Sequence, residues 1–126
     1  MPDMSDCRFT DSHEWFHVEG DIVTIGISQY AANELTDITY VEMKGVGESI
    51  EPGDNAGEVE SVKTTADVFC PFGGEVIEVN DALTDEPGKV NTDPFGEGWL
   101  SKIRTADVSP SETLMDADTY QDKYPV

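Results

Sequence analysis

The sequence predicts a mostly β domain, a small sandwich or flattened barrel, with a short helix after its second strand and a helical segment near its C-terminus. Three observations predict it. Short β-rich runs recur along the chain, separated by turn residues. A serine followed by a small apolar face interrupts them once, and a Ser-Pro-Ser-Glu tetrapeptide opens the last stretch.

The elements follow in order. Residues 14–18 and 22–27 are β-rich runs joined at Glu19-Gly20-Asp21, a hairpin signal. Ser28 can cap a helix over 29–35, where Tyr30, Ala31 and Leu35 face one way. Residues 38–43 make another strand. Pro52-Gly53-Asp54 marks a turn, with Pro suited to its first central position and Gly to its second. Strand-like residues lie on both sides of Lys63 over 59–69, and Gly73-Gly74 precedes a run over 75–79. The stretch 81–98 is rich in Pro, Gly, Asp and Asn, shows neither period, and reads as a long loop. Residues 99–103 form the last strand. Ser109-Pro110-Ser111-Glu112 is a capping-box pattern with Pro at the first helical position, after which Leu114, Met115 and Tyr120 can lie on the domain.

The 126 residues fit one compact domain, 1–126, with a modest core. Acidic residues number 27 against 7 basic ones, a formal net charge of -20. Such a chain repels phosphate backbones and anionic lipid surfaces, which argues against nucleic-acid and membrane partners. The acidity suits encounter with basic protein surfaces; it equally suits solubility or a salty habitat. Cys7 and Cys70 stand in no metal or redox spacing, and Cys70 sits in an apolar stretch as a packing residue. No apolar run approaches the roughly 20 residues that span a bilayer. Met1-Pro2-Asp3-Met4-Ser5-Asp6 lacks the features of a signal or transit peptide. A cytoplasmic protein is expected, or a mitochondrial-matrix one if a transit peptide has been removed.

Side-chain catalysis finds little support. His13 and His17 are four apart in what reads as a strand, too far apart for an easy metal pair. No Cys–His or Ser–His–acid pattern stands out, carboxylates are too numerous to single out a pair, and the glycines form no phosphate-binding loop. Lys63 is distinctive because its nearest basic neighbours in sequence are Lys44 and Lys89. A lysine on a protruding turn can be modified and carry a swinging group; by spacing alone the ordinary solvated lysine is the favoured reading.

A resemblance adds to this. Phe9-Thr10-Asp11-Ser12-His13-Glu14-Trp15, Val23-Thr24-Ile25-Gly26-Ile27, Glu58-Val59-Glu60-Ser61-Val62-Lys63, Gly74-Glu75-Val76-Ile77-Glu78-Val79-Asn80 and Asp93-Pro94-Phe95-Gly96-Glu97-Gly98-Trp99-Leu100 occur in this order. The chain thereby resembles the H proteins of the glycine cleavage system over nearly its whole length. The resemblance implies a lipoyl/biotinyl-domain-like β sandwich and a non-catalytic carrier. Lipoic acid is then attached by an amide to Lys63, placed there by a lipoylating enzyme. The implied partners, met transiently, are the pyridoxal-phosphate decarboxylase (P protein), the aminomethyltransferase (T protein) and dihydrolipoamide dehydrogenase (L protein). A monomer is expected.

The resemblance also implies that Ser12, Glu14 and Asp67 line a cleft for the aminomethyl-loaded arm; for Glu14 the alternative is a surface charge on a strand. Thr64-Thr65-Ala66-Asp67 and Phe69-Cys70-Pro71-Phe72-Gly73-Gly74 depart from the family's commoner residues, outside the attachment motif. Competing readings are an H-like carrier or lipoyl donor serving 2-oxoacid dehydrogenases or sulfur metabolism, and an unmodified interaction module. Biotin carriage is disfavoured, since biotin carriers flank their lysine with Met and here the flanks are Val62 and Thr64.

Overall fold

Apolar residues alternate on strands such as Thr65–Cys70 and Ser101–Arg104, while Glu14–Glu19 and Ile22–Ile27 bury residues on both faces. Together they build two sheets around a shared core. The computed structural model describes residues 4–125. The reading of the first six residues as neither leader nor transit peptide rests partly on residues 1–3, which lie outside them.

The strands are β1 (Arg8–Phe9), β2 (Glu14–Glu19), β3 (Ile22–Ile27), β4 (Ile38–Met43), β5 (Ser49–Ile50), β6 (Asp54–Ser61), β7 (Thr65–Cys70), β8 (Gly74–Val79) and β9 (Ser101–Arg104). The helices are α1 (Gln29–Leu35), α2 (Ala82–Asp85), α3 (Lys89–Thr92) and α4 (Ala117–Lys123). One sheet runs β1-β2-β3-β9-β8-β5 and the other β4-β6-β7. The sheets stay separate, so the sandwich expectation holds and the flattened-barrel variant does not.

The turn chemistry behaves as local rules dictate. β2 and β3 pair from Glu19↔Ile22 outward, with Gly20 at φ 63 in the first central position, as a type II′ turn requires. Asp54 N–H donates to the Glu51 carbonyl at 2.9 Å around Pro52 and Gly53, the latter at φ 88, which is the type II pattern. Ser28 caps α1, its hydroxyl accepting from Ala31 N–H at 3.2 Å.

The main core lies between the sheets and includes Phe16, Val23, Ile25, Val59, Val68, Phe72 and Ile103. A second cluster, Cys7, Phe9, Trp15, Ala117 and Tyr120, covers the other side of β2. Trp15 lies against Gly26, its register partner on β3; a Cβ at Gly26 would fall inside the indole. Trp15 also stacks on Phe95 at 5.4 Å and donates its indole N–H to the Pro94 carbonyl at 3.2 Å. The 81–98 segment therefore serves as a lid on this cluster. Burial of these aromatics contributes on the order of 1.5–3 kcal/mol per large side chain.

Four expectations need correction. The 81–98 stretch is no plain loop: it contains the single-turn helices α2 and α3. Their four-residue length is too short to show a 3.6-residue period. The last strand begins at Ser101, although Leu100 N–H already donates to the Ile25 carbonyl at 2.8 Å. The Ser109 capping box is not made. Ser109–Thr113 is a 3-10 helix without a side-chain cap, and the α-helix starts only after Asp116, whose carboxylate accepts from Thr119 N–H at 2.8 Å. Met115 is held extended between the two by bonds with the Phe9 backbone, which prevents one continuous helix. Finally, His13 precedes β2 at φ 76, so only His17 lies in a strand.

Candidate functional site

β6 and β7 pair from Glu60↔Thr65 and carry Ser61, Val62, Lys63 and Thr64 at their tip. The Ser61 hydroxyl accepts from Lys63 N–H at 3.1 Å and Thr64 N–H at 3.0 Å, and donates to the Thr64 carbonyl at 3.1 Å. Ser61 N–H also donates to the Thr64 carbonyl, at 2.8 Å. The tip is thus closed by one short side chain. It leans on the junction between α1 and β4, where Val62 N–H donates to the Asp37 carbonyl at 3.0 Å. Lys63 is exposed, and its Nζ donates to the Glu34 carbonyl at 3.3 Å. That carbonyl is in the last turn of α1, where helix acceptors lack intrahelical partners.

The junction receiving the tip is itself held from elsewhere. Thr36 adopts φ 62, ψ -143, a conformation that a β-branched residue rarely takes. Asn91 holds it there: its amide donates to the Thr36 carbonyl at 2.7 Å and the Ala32 carbonyl at 3.3 Å, and its oxygen accepts from Ile38 N–H at 3.0 Å. Asn91 was missed at the level of sequence. Nothing local marks it, because all three partners of its side chain lie more than 50 residues earlier in the chain.

Glu14 is 1% exposed, so the alternative of a surface charge on a strand is overturned. One carboxylate oxygen accepts from the Thr10 hydroxyl at 2.5 Å and the Ser12 hydroxyl at 2.6 Å. The other accepts from Phe69 N–H on β7 at 3.2 Å. Burial of a carboxylate is tolerated because hydrogen bonds replace its water. The structure thereby brings Ser12 and Glu14 into contact. Asp67 lies two residues from the bonded Phe69 on the same strand and is exposed. Neither Ser12, Glu14 nor Asp67 is hydrogen-bonded to Lys63 among the described residues.

Across the outward face of the smaller sheet, Glu42, Glu58 and Asp67 stand directly opposite one another on three adjacent strands. Exposed Tyr40 and Phe69 flank this row. An open groove of about 510 Å³, lined by Glu42, Glu48, Asp54 and Glu58 among others, sits at the end of this sheet away from Lys63.

Beside the Ser12–Glu14 turn, the His13 ring meets the Tyr120 hydroxyl at 2.7 Å, and that hydroxyl meets the Ser28 hydroxyl at 2.7 Å. His13 also packs on Tyr30 and Tyr124, with ring centroids 4.6 Å apart in each case. Loss of water around His13 lowers its pKa against the opposing pull of Glu14, Asp11 and Glu34. Burial raises the Tyr120 hydroxyl to about 12 and the Cys70 thiol to about 12, so both stay protonated near neutrality. Cys70 is a packing residue, and no disulfide joins it to Cys7. No group of three metal-ligating side chains occurs among the described residues.

The class is a small two-sheet β sandwich whose smaller sheet ends in a hairpin that exposes a lysine at its tip. A family model described as Glycine cleavage H-protein matches residues 7–125, and the chain belongs to that family. The Glycine cleavage system H protein of Parvibaculum lavamentivorans is 49% identical over 119 residues, covering 94% of this chain and 95% of that protein. That of Bacteroides thetaiotaomicron is 48% identical over 114 residues, 90% of each chain. The Glycine cleavage system H protein 2, mitochondrial, of Arabidopsis thaliana is 44% identical over 117 residues, 93% of this chain and 75% of its own. A crystal structure of a glycine cleavage system H protein from Mycobacterium marinum superposes with a TM-score of 0.86 at 35% identity, covering 100% of both chains. Family membership makes the chain a lipoyl-carrier component of glycine cleavage.

Proposed function

We propose that Lys63 bears the lipoyl group through an amide and that this single domain shuttles the aminomethyl group from the P protein to the T protein, then its reduced arm to the L protein. The observation that carries this reading is the placement of Lys63, exposed at the closed tip of the β6–β7 hairpin within the matched family region. An exposed primary amine, resting only on the Glu34 carbonyl, fits amide formation with a carboxylic acid. Bound there, lipoic acid supplies a disulfide whose sulfur accepts the aminomethyl group.

The chain's own residues bind and shelter, and the bond-making belongs to the partner enzymes. Ser12, hydrogen-bonded to buried Glu14, and exposed Asp67, two residues from the Phe69 that Glu14 also bonds, are the groups offered to a cationic amine. A carboxylate offers about four acceptor positions. Three of those on Glu14 are taken by Thr10, Ser12 and Phe69, which fix the buried carboxylate behind the exposed Ser12. The carrier acts as a cytoplasmic monomer and meets each partner transiently, because one arm visits three enzymes.

The test is glycine decarboxylation or exchange reconstituted with the P protein, comparing the lipoylated protein with Lys63→Ala. Intact mass of protein from its native cell should show one lipoyl adduct, and exchange should vanish in the variant. Absence of the adduct sinks the carrier assignment for Lys63.

A further inference from the structure

Three of the hydrogen bonds that close the hairpin tip are made by one side-chain oxygen, Ser61 Oγ. We infer that Ser61 is a positioning residue for acylation of Lys63, an inference that rests on the reading of Lys63 as the lipoylated residue. The tip is otherwise exposed: Val62, Lys63 and Thr64 all face water. The amides of Lys63 and Thr64 would find water if the hydroxyl were removed, so the fold does not need it. The shape of the tip does.

Without Oγ, the tip keeps the Ser61 N–H bond to the Thr64 carbonyl and the Val62 N–H bond to the Asp37 carbonyl. Neither bond restrains the Lys63 backbone itself. Ser61 Oγ reaches that backbone directly, through Lys63 N–H at 3.1 Å. The lysine side chain is long and flexible, so the position of its amine is governed by where its Cα is held and in what direction the chain leaves.

Acylation requires this amine to leave the Glu34 carbonyl, shed a proton and meet an activated acyl carbon. With an acyl adenylate as donor, the Nζ lone pair forms the C–N bond and the C–O bond of the mixed anhydride breaks. AMP departs with the bonding electrons, and the proton from nitrogen passes to solvent. A tip of fixed shape presents the amine along one approach, whereas a loose tip must be ordered at each encounter.

The experiment uses the unlipoylated full chain with a purified lipoate–protein ligase, lipoate and ATP, following initial rates by intact mass. Ser61→Ala and Ser61→Val should lower kcat/KM for the carrier by roughly ten-fold, while Ser61→Thr, which keeps the hydroxyl, should stay within about two-fold. Amide hydrogen exchange should quicken at Lys63 and Thr64 in the Ala and Val variants and stay unchanged in the core strands. Wild-type rates in Ala and Val, or a Thr variant as slow as Ala, overturn the role of Ser61. Loss of the folded state in Ala and Val would also overturn it, because the hydroxyl would then serve the fold. Lys63→Arg in the same assay separates the two readings. An adduct on that variant refutes the attachment site, whereas no adduct there with unaffected Ser61 variants refutes only the positioning role.

Discussion

The Glu14 carboxylate on β2 accepts the Phe69 N–H on β7 at 3.2 Å, which joins the two sheets through one buried charge. It also gives the outer edge of the smaller sheet a partner for one of its backbone donors. Glu14→Ala leaves that donor and two hydroxyls without their acceptor and should destabilise the fold by about 2–4 kcal/mol. Urea denaturation followed by circular dichroism measures this. On the lipoylated, loaded protein the same change should speed release of the aminomethyl group; unchanged decay would rule out a role for Glu14 at the cargo. Ser12→Ala and Asp67→Asn report on the cargo with less disturbance of the fold.

Gly26 has no room for a side chain, because the Trp15 indole occupies the space above its Cα. Gly26→Ala should therefore cost about 1–3 kcal/mol through overpacking. Trp15 fluorescence should shift as the ring is displaced, and a denaturation midpoint equal to wild type would show that the ring yields freely.

The pH dependence should follow His13. Its folded-state pKa lies below the ordinary 6.5, chiefly from loss of water, with Glu14, Asp11 and Glu34 pulling the other way. A neutral ring can accept the Tyr120 hydroxyl proton, which ties α4 to the turn before β2. The sign follows: this contribution is fully present above pH 6.5 and is lost as the pH falls through the lower native value. Urea midpoints compared between pH 7.5 and 5 should fall more in wild type than in His13→Asn, by about the share that this one ring contributes. Equal slopes would remove His13 from the account.

The facing carboxylates Glu42, Glu58 and Asp67 repel one another across the smaller sheet. Glu58→Gln, in the middle of the row, should raise Tm at low ionic strength. In about 1 M NaCl screening should erase most of the gain. A gain that survives salt would point to strand propensity in place of charge.

Much of this molecule was legible locally. The Gly20 hairpin, the Pro52-Gly53 turn, the Ser28 cap and the strands that alternate inward and outward all depend on residues a few positions apart. Backbone sterics and hydrogen-bond geometry settle those without reference to the rest of the chain. Lys63 was singled out by resemblance to a family and not by local pattern, and the hairpin places that residue at its tip.

What only the tertiary structure decided involves partners far apart in the chain. Glu14 looks like any strand carboxylate until Phe69, 55 residues on, is seen to bond it. His13 looks like a strand residue until it is seen before β2 at φ 76, with its ring on the hydroxyl of Tyr120, 107 residues on. The expected capping box at Ser109 was overridden because Met115 bonds the Phe9 backbone, an interaction no local pattern encodes. Asn91 sits in a stretch without periodicity, yet it secures the junction against which the Lys63 tip rests. Composition and short-range pattern left Lys63 an ordinary exposed lysine, which only resemblance to a family singled out; burial and long-range hydrogen bonding determined what holds the tip in place.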